Sequence, residues 1–227
     1  MTSEQRIQLW VAGIFLAAIA LITIIATLVS SNASPNTSTF VATHTSPITS
    51  TDHVRGNATA KVSLIEYGDF QCPACGAYEP LVQQLYKEYG DKVAFVFRNF
   101  PLPMHGNAMI AAQAAEAAGS AGKYWEMHDL LYTHQREWSD TANTAIVTKN
   151  FNGYAQSLGI NAEAFNTALN ANATKSKIQN DTALGNTAQV DHTPTFFVNL
   201  TQIPNPGDYS TFKKDIDAAL ASSTASR

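Results

Sequence analysis

The sequence predicts an α/β domain in which a helical insertion interrupts a mostly buried sheet, and three observations carry that prediction. The stretch KVSLIEYGDFQCPACGAY, Lys61 to Tyr78, is an apolar run that passes directly into a Cys-x-x-Cys pair at the start of a helix. VAFVF, Val93 to Phe97, is a second continuously apolar run, one helix later. A long stretch of helical pattern, about 106–191, then separates these two runs from a third at Thr195 to Val198.

The chain begins with a short stub, 1–6, followed by Ile7 to Val29, which carries no charge and is mostly Ile, Leu, Ala and Val. At ~1.5 Å per residue such a run crosses a ~30 Å hydrocarbon layer as one helix. Trp10 sits at the head-group level expected of an anchoring aromatic. Arg6 precedes the run and the next Lys or Arg is Arg55, so the positive-inside rule places the amino terminus in the cytoplasm and the rest outside. A cleaved secretory signal with Ser31 and Ala33 at its processing site is the competing reading; signal cores of ~7 to 15 residues are shorter than this run. Both readings export the remainder of the chain. Residues 30–57, rich in Ser, Thr, Asn and Pro, have too few apolar side chains to offset their ordering entropy and read as a flexible tether in which His44 and His53 are solvated.

Val62, Leu64 and Ile65 suit a central strand covered on both faces. Gly68 and Asp69 break it. Tyr78, Leu81, Val82, Leu85, Tyr86 and Tyr89 recur at spacings of three and four, an amphipathic helix whose first turn tolerates Pro73. Cys72 therefore sits at the helix N-terminus and Cys75 one turn further in on the same face, close enough to bridge. Unpaired amide donors and the positive end of the helix dipole favour a thiolate at Cys72, the form that attacks, and leave Cys75 as the resolving thiol. A structural disulfide and half of a zinc site compete with this reading. A loop this short removes little unfolded-state entropy, and tetrahedral zinc needs two further ligands.

Strand, helix and strand at this spacing imply a parallel pair with a right-handed crossover. Arg98 to Gly106 reads as a loop by its prolines. The helical stretch comes next, with helices expected over Ala108 to Ala118, Tyr124 to Gln135, Thr148 to Leu158, Asn161 to Asn170 and Lys175 to Val190; Asn161 is a natural N-cap. His128 and His134 read as packing or surface residues. Pro194 opens the third strand, where proline is tolerated, and two further prolines confine edge pairing to Thr201 to Ile203. Tyr209 to Ala221 closes the chain as an amphipathic helix. With 14 basic and 18 acidic side chains among 227 residues and no basic run to track phosphates, nucleic acid is excluded as a partner.

The segments EYGDFQCPAC, FRNFPLPMHGNA, KYWEMHDLL and TPTFFVN, in this order and spacing, resemble the DsbA family: a thioredoxin-like fold with an inserted helical subdomain, here in its membrane-tethered bacterial form. The resemblance covers about Ala60 to Ala221, inside an expected domain of 58–224. It implies that Cys72 attacks, that Cys75 resolves, that the two form a redox-active disulfide, and that Pro194 is the cis-proline facing it. Thr193, with Pro73 and Ala74, would meet an extended substrate, and Glu66, six residues before Cys72, would move protons for Cys75. Neither metal nor organic cofactor is implied. The expected partners are unfolded exported proteins and, for reoxidation, a membrane quinone reductase of the DsbB or vitamin-K-epoxide-reductase type. The activity implied is insertion of disulfides; the alternatives are a reductase or isomerase of the same fold, or a binding module with a stapling disulfide or metal. Pro73 and Ala74 place no histidine between the cysteines; His192, just before Thr193, and His105 are candidates for the missing cation, and each reads equally well as a loop residue.

Overall fold

The computed structural model describes residues 42–225. The expected membrane helix at 7–29 and residues 30–41 of the expected tether lie outside them; among the described residues no helix is long and apolar enough to cross a membrane. Five strands form one sheet: β1 (Val54–Gly56), β2 (Val62–Gly68), β3 (Val93–Asn99), β4 (Thr195–Val198) and β5 (Thr201–Ile203), in the order β1-β3-β2-β4-β5. Only β2 and β3 are parallel; the pairs β1/β3, β2/β4 and β4/β5 run antiparallel. Helix α1 (Pro73–Tyr89) makes the parallel crossover, as the apolar spacing predicts.

Alternation along the strands divides the sheet into two faces. Val62, Leu64, Phe95 and Phe196 pack with Leu85 and Tyr89 of α1 and with Phe212 and Ile216 of the last helix, Tyr209–Ala225. Ile65, Tyr67, Val96 and Phe197 pack on the opposite face with Phe100, Ala188 and Val190. Between β3 and β4 lie α2 (Ala108–Gly119), α3 (Tyr124–Thr133), α4 (Gln135–Trp138), α5 (Thr144–Ser157), α6 (Ala162–Asn170) and α7 (Asn172–Thr187), with α8 the closing helix. Their own core runs from Ala111 through Met127, Leu131 and Trp138 to Phe151 and Phe165, and it continues to Phe70, Cys72, Cys75 and Phe97. Asn161 caps α6 as expected, accepting from the amides of Glu163 and Ala164, and Asn143 caps α5 four residues earlier than the pattern placed its start.

The structure corrects the expected tether and the expected loop. Residues 42–57 are not tether: they fold against the domain, where the amide of Gln202 donates to Thr43 O at 2.9 Å, His44 bridges Thr201 and Val54–Gly56 adds an edge strand. Nor is Arg98 a loop residue, since β3 runs on to Asn99 and Arg98 is fully buried on the face that the 42–53 segment covers. Its guanidinium donates to both Asp52 oxygens at 2.9 and 3.0 Å, to Thr45 Oγ1, Ser46 O, Pro47 O and the Tyr67 hydroxyl. A polar segment with few apolar side chains is thus tied down by one buried cation that lies about fifty residues away. His53 is likewise not solvated; it stacks on Tyr124 at 3.7 Å and pairs with Glu116.

Burial alone would raise the Asp52 carboxyl, but its hydrogen bonds to Arg98 outweigh that and hold it below its ordinary range. A group depressed on folding contributes stability above its unfolded pKa and loses it as pH falls through the lower folded value. Asp52→Asn is therefore expected to cost ~3 kcal/mol at pH 7, because it leaves Arg98 buried without a counter-charge. The deficit should shrink below about pH 4; urea unfolding of the variant and the parent at both pH values measures it.

Candidate active site

The site is built where β2 ends. Gly68 is required there: a Cβ would lie 2.3 Å from the Phe97 ring. The chain then turns on Asp69, whose carboxylate accepts from the amides of Gln71 at 2.7 Å and Leu102 at 2.9 Å and from His105 Nδ1 at 2.6 Å, while its carbonyl accepts from the amide of Cys72. Cys72 is the N-cap of α1, with Pro73 at the first helical position and no side-chain cap, so the free helix amides face its sulfur. The helical insertion closes around this turn. Gln135 Nε2 donates to Phe70 O at 2.7 Å and Cys72 O at 2.9 Å, and Gln71 spans the amide of Asn107 and Ser139 O.

Both cysteines are thiols in this structure. Cys72 is 7% exposed and Cys75 1%, so an incoming sulfur meets Cys72 first. The Cys75 thiol beside it is the main reason the Cys72 pKa is pushed down to about 5; burial opposes this, while Thr193 and the amides of Cys75 and Ala74 add to it. Burial pushes the Cys75 thiol well above its ordinary value, and Cys72 and Glu66 add to that. The two thiols thus diverge without a nearby cation. Of the two readings open for His105 and His192, the structure favours the loop residue: the first is bound to Asp69 and the second, exposed, to Asp191.

The structure brings the remaining predicted residues to the same place. Cys72 Sγ donates to Thr193 O at 3.4 Å, the Thr193–Pro194 peptide is cis, and Thr193 Oγ1 is buried with no hydrogen-bond partner among the described residues. Pro73 and Ala74 are exposed at the helix tip. Glu66, 5% exposed, lies on the α1 face of β2; burial first, then Glu79 and the Cys72 thiolate, hold its carboxyl well above the ordinary range. Sequence reasoning missed Gln71, Asp69, Gln135 and Asn205, whose side chain donates to Pro194 O at 2.7 Å. Asp69 and Gln71 flank the Cys-x-x-Cys and were within reach of a turn argument; Gln135 and Asn205 act across the fold and carried no local signal.

A partly buried ionic network lies beneath. Glu79, His128 and Asp129 offer ligand atoms within 4.8 Å of one another, yet each is already engaged. Gln83 Nε2 bridges Glu79 at 2.6 Å and Asp129 at 2.9 Å, His128 Nδ1 lies 3.0 Å from Asp129, and Arg55 pairs with Asp129 while stacking over Tyr86 and Trp125. With the Arg55 guanidinium paired to Asp129, these side chains form an ion-pair network.

A family model described as thioredoxin matches residues 48–218. Among solved structures, the chain is similar to oxidised BdbD from Bacillus subtilis, with 25% identity, a TM-score of 0.70 and coverage of 80% of this chain and 100% of that one. It is also similar to a thioredoxin-like oxidoreductase from Silicibacter pomeroyi at 27% identity and a TM-score of 0.63, covering 75% and 93%. Wolbachia pipientis alpha-DsbA1, at 20% identity and a TM-score of 0.70 over 79% of this chain and 96% of that one, shares the fold. Curated relatives include the Na(+)/H(+) antiporter NhaA 3 of Salinispora tropica, 38% identical over 75% of this chain and 25% of that protein, and NhaA 1 of Salinispora arenicola, 41% identical over 65% and 22%. The chain spans about a quarter of the length of these relatives.

The divergence of the two thiols has a direct readout. Thiolate absorbance near 240 nm in the reduced protein is expected to rise with a midpoint of about 5, and Cys72→Ser should abolish that transition. Cys72 is depressed on folding, so its stabilisation of the dithiol form is complete above the unfolded thiol range and disappears as pH falls through that midpoint. Urea unfolding of the reduced protein should accordingly show stability growing between pH 5 and about 8.5, and Cys72→Ser should flatten the rise.

Proposed function

The chain belongs to the thioredoxin family, and from that premise we propose that it is an extracytoplasmic thiol-disulfide oxidoreductase, anchored by Ile7 to Val29, that introduces disulfides into exported proteins. The observation that carries the reading is the asymmetric pair: Cys72, the more accessible of the two sulfurs, with its pKa at about 5, beside Thr193 and Pro194, and Cys75 more deeply buried with its thiol pushed up.

In the oxidising direction a substrate thiolate attacks Cys72 Sγ of the Cys72–Cys75 disulfide, and Cys75 leaves as the thiolate and takes a proton. A second substrate thiolate then attacks the substrate sulfur of the mixed disulfide, a substrate disulfide forms, and Cys72 departs as the thiolate. A thiol of low pKa leaves readily, and stabilising it stabilises the reduced enzyme, which draws electrons toward Cys72. The backbone beside Pro194 supports binding of an extended chain by main-chain hydrogen bonds, recognition that asks little of side-chain sequence. Thr193, Pro73 and Ala74 line that approach. Glu66, its carboxyl pushed well above the ordinary range by burial, is placed to exchange the proton that Cys75 gains and loses. Electrons are passed on to a membrane quinone reductase of the DsbB or vitamin-K-epoxide-reductase type.

Equilibration of the protein with glutathione buffers decides the direction of electron flow. A reduction potential above about -180 mV is the expected result, whereas one below about -250 mV would make the protein a reductase and overturn the oxidising reading. Cys72→Ser should eliminate disulfide transfer to a reduced, unfolded test protein while leaving the far-ultraviolet spectrum unchanged.

A further inference from the structure

Three successive carbonyls in the turn that faces Cys72 are each held by a side chain. Thr195 Oγ1 donates to His192 O at 2.8 Å, Cys72 Sγ donates to Thr193 O at 3.4 Å, and Asn205 Nδ2 donates to Pro194 O at 2.7 Å. The third donor comes from an unusual place. β4 and β5 pair Phe196 with Ile203, Phe197 with Gln202 and Val198 with Thr201, and the same register carried two residues further sets Pro194 opposite Asn205. The strand ends at Ile203, however, and Pro204 follows it without an amide hydrogen. Where the main chain has left the sheet, the Asn205 side chain thus supplies the donor that a continued ladder would have supplied. Carbonyls along an extended strand point alternately to its two sides. Pro194 O faces the β5 side, where Asn205 takes it, and Thr193 O faces Cys72. The loop that carries Asn205 is stiff: Pro204 and Pro206 fix the backbone on both sides of it, Pro206 is buried, and Asp208 ties the start of α8 by accepting from the amide of Thr211 at 2.8 Å.

From this geometry we propose that Asn205 is a positioning residue that makes the site selective for extended polypeptide over small thiols. The proposal rests on the thiol-disulfide reading and holds in either direction of electron flow. By keeping the Pro194 carbonyl on the β5 side, Asn205 fixes the direction of the neighbouring Thr193 carbonyl, which is the one beside the reacting sulfur. A sulfur engaged in a disulfide has no hydrogen to donate. In the oxidised chain Thr193 O is therefore the carbonyl of the three that opens to the amide of an incoming chain, while His192 O and Pro194 O stay occupied. Recognition through main-chain hydrogen bonds depends on the direction of the acceptor, so its strength follows how firmly that peptide is held. Without the Asn205 donor the turn loses its tie to the β5 side, and Thr193 O loses its fixed aim. A small thiol needs only the sulfur and gains nothing from that aim. Among the described residues Asn205 bonds Pro194 and neither cysteine, which places its effect on binding and not on the exchange itself.

The test compares two reductants of the full chain in its Cys72–Cys75 disulfide form, a fluorescent peptide dithiol and dithiothreitol. Asn205→Ala, and Asn205→Asp, which keeps the shape but has no amide donor, are each expected to lower kcat/KM for the peptide roughly fivefold to tenfold, the worth of one hydrogen bond. The loss should fall on KM, with kcat and the dithiothreitol rate within about twofold of the parent. The same peptide N-methylated on the backbone beside its cysteines should react more slowly with the parent and at the same rate with parent and variants, since the two changes remove one interaction from opposite sides. Unchanged KM in both variants, parallel losses for peptide and dithiothreitol, or a variant effect that persists in full with the N-methylated peptide would overturn the role of Asn205. A parent chain that oxidises neither reductant would instead overturn the oxidoreductase reading beneath it.

Discussion

The peptide groups around Cys72 are held from both halves of the molecule, and the chemistry of the site depends on that grip. Its amide donates to Asp69 O at the end of the sheet, and its carbonyl accepts from Gln135 in the helical insertion. Gln71 adds a second tie across the same gap, to Asn107 and Ser139. A thiolate at a helix N-terminus gains only from donors that already point at it, so a loose turn would forfeit the effect. The insertion is thus part of the site's rigidity. Its core runs without a break into Cys75 and Phe97.

Two sulfurs three residues apart end up chemically opposite because of where the sheet stops. Cys72 lies at the rim and shares in the helix amides, whereas Cys75 is pressed against the strand face that carries Glu66. A group stabilised as an anion beside one that resists ionisation is the arrangement a dithiol needs to attack in one order. Placing an acidic side chain on a strand face otherwise filled by Val62, Leu64 and Phe95 costs stability. The same low-dielectric surroundings make its proton affinity responsive to the sulfurs.

The other face of the sheet answers to a different buried charge. Arg98 places all its donors on the 42–53 segment and Tyr67, replacing an apolar cover with a polar one that is almost fully hydrogen-bonded. The segment has few apolar side chains of its own to keep it there, so its order depends on that guanidinium. Replacing it would leave unsatisfied carbonyls and Asp52 behind.

Periodicity and local chemistry in the sequence determined the strands, the crossover helix, the Cys-x-x-Cys at its N-terminus, the insertion and the strand after Pro194, because each is written within a window of neighbouring residues. The thioredoxin-like fold with its helical insertion was legible through the resemblance of those segments to a known family. What only the tertiary structure decided were the contacts made at long range. Residues 42–57 were misjudged as tether because Arg98, their partner, lies about fifty positions away; Gln135 and Asn205 touch the site from positions 63 and 11 residues distant from the carbonyls they bond. The low pKa of Cys72 without a neighbouring histidine, and the network of Glu79, His128 and Asp129 beneath it, belong to the same class. Spacing can place a side chain on a face, but burial and pairing arise only when separate elements close on one another.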